Sequence, residues 1–250
     1  MTVILVPYHL DEHQPDLDYP LEPDVVATAG LPAGDVWERL GTLYSNVAAQ
    51  VAATVRAGGR PVVLSGDCTT SLGTMTGLQR AGVDAGIVWF DAHGDVQTLE
   101  TTSSGYLGGI PLRVLAGYRP ELIAGRLGLQ AVPESQIALV GARDLDPPEV
   151  AYLAGAQIRQ LPAVGLDAAD LPGGPLYLHV DLDVIDSAAL PGLLFPAPGG
   201  PGPDQLTSAL QRVLGTGRVA AVGVACTWRA GHGAAAAARA VLEAALAGWR

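Results

Sequence analysis

Short apolar segments, each ending at Gly, Asp or Pro, alternate along this chain with longer segments of helical periodicity. The apolar segments are rich in Val, Ile and Leu and are apolar on both faces, which is typical of buried parallel strands. This alternation predicts an α/β fold, with a parallel sheet covered by helices on both faces. Strands are predicted at residues 3–7, 61–65, 86–91, 137–141, 176–181 and 219–225.

The segments between these strands predict helices. Thr70 and Asp204 are expected to cap two of them, since such side chains accept hydrogen bonds from the first free N–H groups of a helix. Two loops rich in Gly and Pro, residues 102–109 and 190–203, follow acidic strand ends, where folds of this class place their ligands. Strands on either side of the second loop favour one domain over residues 1–250. Helices are predicted at residues 35–57, 70–81, 147–154, 204–214 and 234–249.

The charge of the chain narrows the class of partner. With 14 basic and 25 acidic residues, the formal net charge is −11. An acidic protein does not attract phosphate backbones, so nucleic acid is not an expected partner. The same charge favours cationic small molecules.

Cysteine content and the N-terminal segment indicate the compartment. Only Cys68 and Cys226 are present, which disfavours a disulfide scaffold and is typical of a reducing cytoplasm. The segment MTVILVPYHLDEH lacks a basic region and is interpreted as a first strand rather than a signal peptide. No apolar stretch reaches membrane-spanning length, so no membrane partner is expected.

Acidic clusters follow two of the predicted strands. Side chains at alternate positions of an extended chain point the same way, so each cluster can converge on one point. Carboxylates crowded at strand ends repel one another unless cations neutralise them, and oxygen-rich ligation with some nitrogen suits Mn²⁺. The alternative is a set of solvated loop carboxylates or helix caps, and for Asp186 a turn or cap is at least as good an interpretation. The clusters are Asp91, His93 and Asp95, and Asp181, Asp183 and Asp186.

These two clusters resemble the metal-binding motifs of the ureohydrolases, the arginase/agmatinase family. The segment Ser65-Gly-Asp67-Cys68-Thr69 resembles the upstream Gly-Gly-Asp-His-Ser motif of that family. Residues 101–109 resemble its substrate loop, and residues 141–149 resemble the loop with which arginases bind the amino-acid end of their substrate. The matches keep the family order along most of the chain. The resemblance implies a three-layer αβα sandwich of the arginase/deacetylase type, in a divergent, bacterial-type arginase-like protein.

The resemblance also implies a binuclear Mn²⁺ site with two ions per subunit. The bridging ligands would be Asp91 and Asp181. Asp95 and Cys68 would complete the site of one ion, and His93 and Asp183 that of the other. Asp95 would also be catalytic, orienting the attacking hydroxide and passing its proton to the leaving nitrogen. The reaction implied is hydrolysis of a guanidino C–N bond, which gives urea and an amine.

The same resemblance suggests how a guanidino amino acid would be held. Asp146 would bind the α-amino group, with Glu149 in support, and Gln97 and Ser104 would bind the α-carboxylate. N-capping of the helix that begins near residue 147 is an equally good interpretation of Asp146. Arg143 is expected to pair with a neighbouring acid.

Cys68 is the first departure from the family pattern, because it stands where the family has a histidine ligand. A thiolate is softer than imidazole and suits Mn²⁺ poorly, so one of the two metal sites is expected to be weak. The alternative is a small buried residue, the usual state of a free cysteine.

Two further departures concern substrate and proton transfer. The relay histidine of the family aligns with Gly108, and its guanidinium-binding glutamate aligns with Cys226. Loss of that negative charge favours a less basic substrate such as N-hydroxyarginine over arginine. His9 and His13 are conceivable proton carriers, although histidines of a surface loop are the simpler interpretation.

Three functions therefore compete. The leading hypothesis is a metal-dependent hydrolase of linear amidine C–N bonds that acts on a small guanidino compound. A cysteine-dependent amidine hydrolase would use Cys68 as its nucleophile. A non-catalytic or weakly active binding protein would retain the fold alone. Assembly into a homo-oligomer through the helices is a further expectation from the resemblance.

Overall fold

Ten short strands are present in the computed structural model, which describes residues 1–249. Eight of them form one sheet, and two form a small hairpin directly after the first strand. The strands are β1 (Thr2–Val6), β2 (Tyr8–His9), β3 (Glu12–His13), β4 (Val25–Val26), β5 (Pro61–Ser65), β6 (Gly86–Phe90), β7 (Ile137–Val140), β8 (Arg159–Leu161), β9 (Leu176–Asp181) and β10 (Val219–Ala225).

The main sheet is parallel throughout, in the order β4-β1-β5-β10-β9-β6-β7-β8. Its four central strands are β5, β10, β9 and β6. Ala225, at the end of β10, pairs with Ser65 on one side and with Asp181 on the other. The carboxyl ends of these strands therefore meet at one edge of the sheet, where ligands of open α/β folds bind.

Helices cover both faces of this sheet. The first five pack with one core and the last two with the other. The helices are α1 (Val36–Arg56), α2 (Ser71–Arg80), α3 (Pro111–Leu115), α4 (Ala124–Leu127), α5 (Pro147–Gly155), α6 (Pro203–Leu214) and α7 (Ala234–Leu246).

Strand β6 shows why the apolar pattern predicted this architecture. Ile87 and Trp89 are buried in the core beneath α1 and α2, whereas Val88 and Phe90 are buried in the core beneath α6 and α7. A strand buried on both faces needs apolar residues at successive positions. The predicted three-layer αβα sandwich with a central parallel sheet is confirmed.

The differences from the sequence predictions lie at the edges. All six predicted strands are present within one residue at each end, but the edge strands β4 and β8 were not predicted. Each has only two or three residues, and β8 is largely exposed, so neither produces an apolar run. The cap prediction for Asp204 is wrong, because α6 begins after Gly202. Thr70 does precede α2, but its side chain makes no capping hydrogen bond.

None of the helices within residues 1–249 combines the length and the apolar character that crossing a lipid bilayer requires.

Candidate metal centre

One cavity of about 200 Å³ lies at the carboxyl edge of the central strands. Its walls come from the segments that follow β5, β6 and β9 and from the two predicted loops. A space of this size suits a small molecule. Every candidate ligand, catalytic and substrate-binding residue predicted from the sequence lines it: Cys68, Asp91, His93, Asp95, Gln97, Ser104, Asp146, Glu149, Asp181 and Asp183.

The same local turn builds both acidic motifs. Asp91 follows β6, and its Oδ1 accepts a hydrogen bond of 2.7 Å from the backbone N–H of His93. Asp181 ends β9, and its Oδ1 accepts one of 2.9 Å from the N–H of Asp183. An Asp side chain that bonds to the backbone two residues later turns the chain there. The third residue of each motif is thereby brought back beside the first.

The first half of the centre consists of oxygen and nitrogen donors. His93 Nδ1 lies 3.1 Å from Asp183 Oδ2 and 3.4 Å from Asp91 Oδ1. One potential ligand atom from each of these three residues lies within 4.8 Å of the others. A single ion at this point could therefore contact all three side chains.

The second half contains sulfur. The Cys68 thiol donates to Asp181 Oδ2 at 2.9 Å, and its Sγ lies 4.0 Å from Asp91 Oδ2. Thr227 Oγ1 donates to the other oxygen of Asp181 at 2.7 Å. Asp91 is common to the two halves, with Oδ1 directed to His93 and Oδ2 to Cys68. Its carboxylate is thus placed between two potential cation positions.

Burial makes this cluster electrostatically costly. It raises the pKa of Asp95 and Asp181 well above the ordinary range, and neighbouring carboxylates raise both further. Burial and the charge of Asp91 raise the pKa of Asp183 to about 6. Burial opposes the charged form of His93, yet hydrogen bonds to Asp183 and Asp91 outweigh it and raise its pKa to about 12.

The pKa values of Asp91 and Asp95 shift in opposite directions in this cluster. Burial acts to raise the pKa of Asp91, but its hydrogen bond and charge interaction with His93 lower it overall. Asp95 is 5% exposed, and within residues 1–249 its buried Oδ2 has no hydrogen-bond partner. An unpaired buried carboxylate oxygen in an acidic cluster fits a site built for cations.

The environment of Cys68 disfavours a free thiolate nucleophile. Burial raises the pKa of this thiol, and the charges of Asp181, Asp95 and Asp91 raise it further. Reactive cysteines instead lie in electropositive, partly exposed surroundings. A cation in this cluster would offset the carboxylate charges and lower the pKa of the thiol. The surroundings of Cys68 therefore favour ligation over nucleophilic attack.

The predicted substrate-binding residues form a braced wall of the same cavity. Gln97 Nε2 donates to Asp146 Oδ2 at 2.9 Å, and Gln97 Oε1 accepts from Thr101. The buried Glu149 accepts from the backbone N–H groups of Asp146 and Val96. Asp146 also occupies the N-cap position before α5, where its backbone N–H donates to Glu149. Ser104 is exposed and accepts from the N–H of Tyr106.

Asp186 and Arg143 support the loops rather than the cluster. Asp186 accepts from the N–H groups of Ala188 and Gly199, which is the turn role that the sequence suggested. The predicted pairing of Arg143 with Asp144 or Asp146 is wrong. Its guanidinium group instead donates to the carbonyl oxygens of Gly141, Asp183, Ile185, Ala197 and Pro198, which ties loop 190–203 to the strand ends.

Arg143→Ala is therefore expected to lower the free energy of unfolding by about 2 kcal/mol, since hydrogen bonds to a charged group are lost. Arg143→Lys should recover little of it, because one ammonium cannot replace a planar group with five donors. Urea denaturation measures the free energy of unfolding of both variants. Arg126→Ala is the control, since Arg126 makes an exposed ion pair with Glu38 and its loss should change stability by about 0.5 kcal/mol or less. Wild-type stability for Arg143→Ala would contradict the bracing role.

Tyr106 occupies the space next to Gly108, the position of the family's relay histidine. A Cβ atom at position 108 would collide with the Tyr106 ring. The Tyr106 hydroxyl lies 3.1 Å from His9 Nε2, and His9 Nδ1 lies 2.9 Å from the carbonyl oxygen of Gly66. His9 is thus half-buried behind the cavity wall, whereas His13 is exposed. His9 is thus tied to the cavity wall through Tyr106, while the exposed position of His13 agrees with its interpretation as a surface histidine.

Gly108→His alone is expected to lower the melting temperature, because overpacking against the Tyr106 ring costs about 1–3 kcal/mol. The double variant Tyr106→Asn/Gly108→His removes the ring and should regain most of that loss. Gly109→Ala serves as the control, since a Cβ there would meet its nearest neighbour at 3.9 Å. Equal melting temperatures for the single and double variants would contradict this packing.

Three side chains beside the cluster were missed by the sequence interpretation. His179 lies on β9 two residues before Asp181, a spacing that places both on one face of the strand. Thr227 reaches Asp181, whereas Cys226, which aligned with the family glutamate, is buried in the core beneath α6 and α7. Phe195 lies at the rim of the cavity. The two-residue spacing from Asp181 could have identified His179. Thr227 and Phe195 lie in loops, where no such periodicity exists.

Comparisons with known proteins give a consistent result. The model of the arginase family matches residues 8–247. An arginase from Eremothecium gossypii is 33% identical over 190 residues, which make up 70% of this chain and 48% of that protein. The N(omega)-hydroxy-L-arginine amidinohydrolase of Streptomyces lavendulae is 33% identical over 67% of this chain and 61% of its own length. The chain thus matches about half to three fifths of these curated relatives.

The architecture is also that of a solved arginase. The crystal structure of arginase from Bacillus cereus superposes with a TM-score of 0.82 at 22% identity, covering 98% of this chain and 97% of that chain. At this identity the likeness shows the shared fold, which is the arginase type expected from the motifs. Together with the family match over residues 8–247, it establishes that the chain belongs to the arginase family.

Proposed function

We propose that the chain hydrolyses a guanidino C–N bond and releases urea from arginine, or hydroxyurea from a modified arginine such as N-hydroxyarginine. The observation that carries this proposal is the Asp91 carboxylate. One of its oxygens is directed to His93 and the other to Cys68, so two cations could share it. Two ions sharing a ligand are suited to hydrolysis of an unreactive C–N bond.

The donor set of the cavity supports two divalent cations. Asp91, His93 and Asp183 would hold one, and Mn²⁺ suits these oxygen and nitrogen donors. Cys68, Asp95, Asp91 and Asp181 would contribute to the other. When bound, the ions would polarise the substrate and supply an activated water. A weaker Mn²⁺ affinity of the Cys68 half is part of the proposal.

Asp95 is the proposed proton carrier. Burial and neighbouring carboxylates raise its pKa, which favours uptake of a proton by this carboxyl group. Its Oδ2 makes no hydrogen bond within residues 1–249, and the residue lines the cavity. A carboxyl group in such a position can pass a proton to the departing amine nitrogen.

The remaining wall residues are proposed to select the substrate. Asp146 and Glu149 would attract an α-amino group, while Gln97 and Ser104 would hydrogen-bond to an α-carboxylate. Near the cluster, Thr227 supplies a hydroxyl where the family has a charged glutamate close by, so a fully charged guanidinium receives less compensation. A less basic N-hydroxyguanidine fits this change, and a relative bears the name of that activity.

Release of urea from arginine and agmatine, and of hydroxyurea from N-hydroxyarginine, by the Mn²⁺-supplied protein tests the proposal. We expect the highest kcat/KM with N-hydroxyarginine and a loss of urea release in Asp95→Asn. Chelation should abolish the activity, whereas a cysteine-dependent hydrolase would retain it. Equal inactivity on all three compounds by metal-loaded protein would overturn the proposal and favour a binding protein of this fold.

The proposed setting is a cytoplasmic, single-domain enzyme whose partner is a small guanidino compound, without nucleic-acid or membrane partners. Assembly into a homo-oligomer through the helices remains part of this proposal.

A further inference from the structure

We infer that His179 is a metal ligand of the Cys68 half of the centre, and that this half binds Zn²⁺ in preference to Mn²⁺. The imidazole absent from position 68 is then supplied from the neighbouring strand β9. The inference rests on the proposed two-cation function and names the ligands and the metal of one of its halves.

His179 lies beside Cys68 and Asp91, two of the proposed ligands. One potential ligand atom from each of Cys68, Asp91 and His179 lies within 4.8 Å of the others, and all three residues are buried. His179 is 2% exposed and pairs in register with Trp89 of β6. Its ring stacks on the Trp89 indole at a centroid distance of 3.6 Å, which fixes the plane of the imidazole.

The hydrogen bonds of His179 leave one ring nitrogen for a metal. Nδ1 lies 3.0 Å from Ser71 Oγ and 3.3 Å from the hydroxyl of Tyr177. Within residues 1–249, Nε2 is buried and has no hydrogen-bond partner. Metal-binding histidines use one nitrogen for the ion and the other for a fixed partner, which is the division present in His179.

The unpaired Nε2, together with its position beside Cys68 and Asp91, favours ligation over a role in packing alone. A buried polar atom without a partner costs about 1–3 kcal/mol. Trp89 Nε1 donates to Asp91 Oδ2 at 3.0 Å, so the indole that stacks on His179 also positions a carboxylate of the same cluster. Ser71, Tyr177 and Trp89 therefore hold His179 and Asp91 in a fixed arrangement beside Cys68.

The donor types select the metal. Sulfur, imidazole nitrogen and carboxylate oxygen together suit Zn²⁺, whereas Mn²⁺ favours carboxylate and water. Asp91, His93 and Asp183 form the half without sulfur. On Zn²⁺ binding the Cys68 thiol would release its proton to solvent and bind as thiolate. The two halves of the centre would then prefer different ions.

Competition and spectroscopy on the purified full chain test this assignment. With one equivalent of Zn²⁺ per chain and excess Mn²⁺ supplied, we expect the Zn²⁺ to occupy the Cys68 half, and Co²⁺ in its place should give a thiolate-to-cobalt charge-transfer band. His179→Asn retains a polar group near Ser71 but loses Nε2. It should weaken Zn²⁺ binding by at least about 100-fold, since even outer partners of metal ligands contribute 10–100-fold. The charge-transfer band should shift or disappear.

The controls separate ligation from packing. Ser71→Ala removes a partner of Nδ1 but leaves Nε2, so Zn²⁺ binding should weaken less than in His179→Asn. Wild-type Zn²⁺ affinity and an unchanged cobalt spectrum in His179→Asn would overturn the inference.

If His179→Asn fails to fold, the Co²⁺-loaded wild-type chain decides by NMR. Two hyperfine-shifted imidazole N–H signals are expected, from His93 and His179, and a single signal would overturn the inference. Because these readouts measure ligation, metal-loaded protein that releases neither urea nor hydroxyurea would count against the proposed function alone.

Discussion

Asp181→Asn is expected to reduce the bound divalent cations from two per chain to at most one and to lower urea release by at least about 10³-fold. Asp181 lies against Cys68 and Thr227 at the end of β9, where its charge faces the second half of the cavity. An amide keeps the size of the side chain and its turn-forming oxygen, but it removes the charge that a cation requires. Metal analysis of purified protein and a urea assay measure the two effects.

Asp186→Asn provides a matched control in the same motif. Asp186 bonds to backbone N–H groups of its own loop and does not line the cavity. Its variant should keep both cations and most of the activity. Two bound cations in Asp181→Asn would contradict the placement of Asp181 in the metal centre.

Supplying divalent cations to the metal-free chain should produce the largest change in stability. Without cations, folding buries carboxyl groups whose pKa is raised by burial and by one another, which opposes the folded state. Cations that bind only the folded chain stabilise it by about 4 kcal/mol at 1,000 times their Kd. For a chain of this size we expect the melting temperature to rise by roughly 10 °C.

Differential scanning calorimetry with and without Mn²⁺ and Zn²⁺ checks this expectation. Asp181→Asn should respond far less than the wild-type chain, whereas Asp186→Asn should respond as the wild type does. A melting temperature unaffected by either ion would contradict a cation site in this cavity.

The sequence predicted the part of the centre that depends on local geometry. Asp91 and Asp181 each end an apolar strand, and their two-residue spacing from His93 and Asp183 determines where the neighbouring donors lie. Parallel strands bring such ends together, so the shared cavity followed from the order of the strands.

Features that depend on contacts between distant segments were not predictable in this way. His179 lies within an apolar strand and was given no role, because nothing in its own segment identifies the unpaired Nε2. The contact of Tyr106 with Gly108 depends on how loop 102–109 folds back on itself. The partners of Arg143 are backbone carbonyl groups, and their positions are invisible to a residue pattern.

Anomalous X-ray diffraction from crystals of the full chain grown with Mn²⁺ and Zn²⁺ tests the shared metal centre most directly, since data on either side of each absorption edge identify the ions. We predict two anomalous peaks in the cavity, both within bonding distance of the Asp91 carboxylate, with Zn²⁺ beside Cys68 and Mn²⁺ beside His93. A cavity without an ion, or ions bound only outside it, would contradict the account.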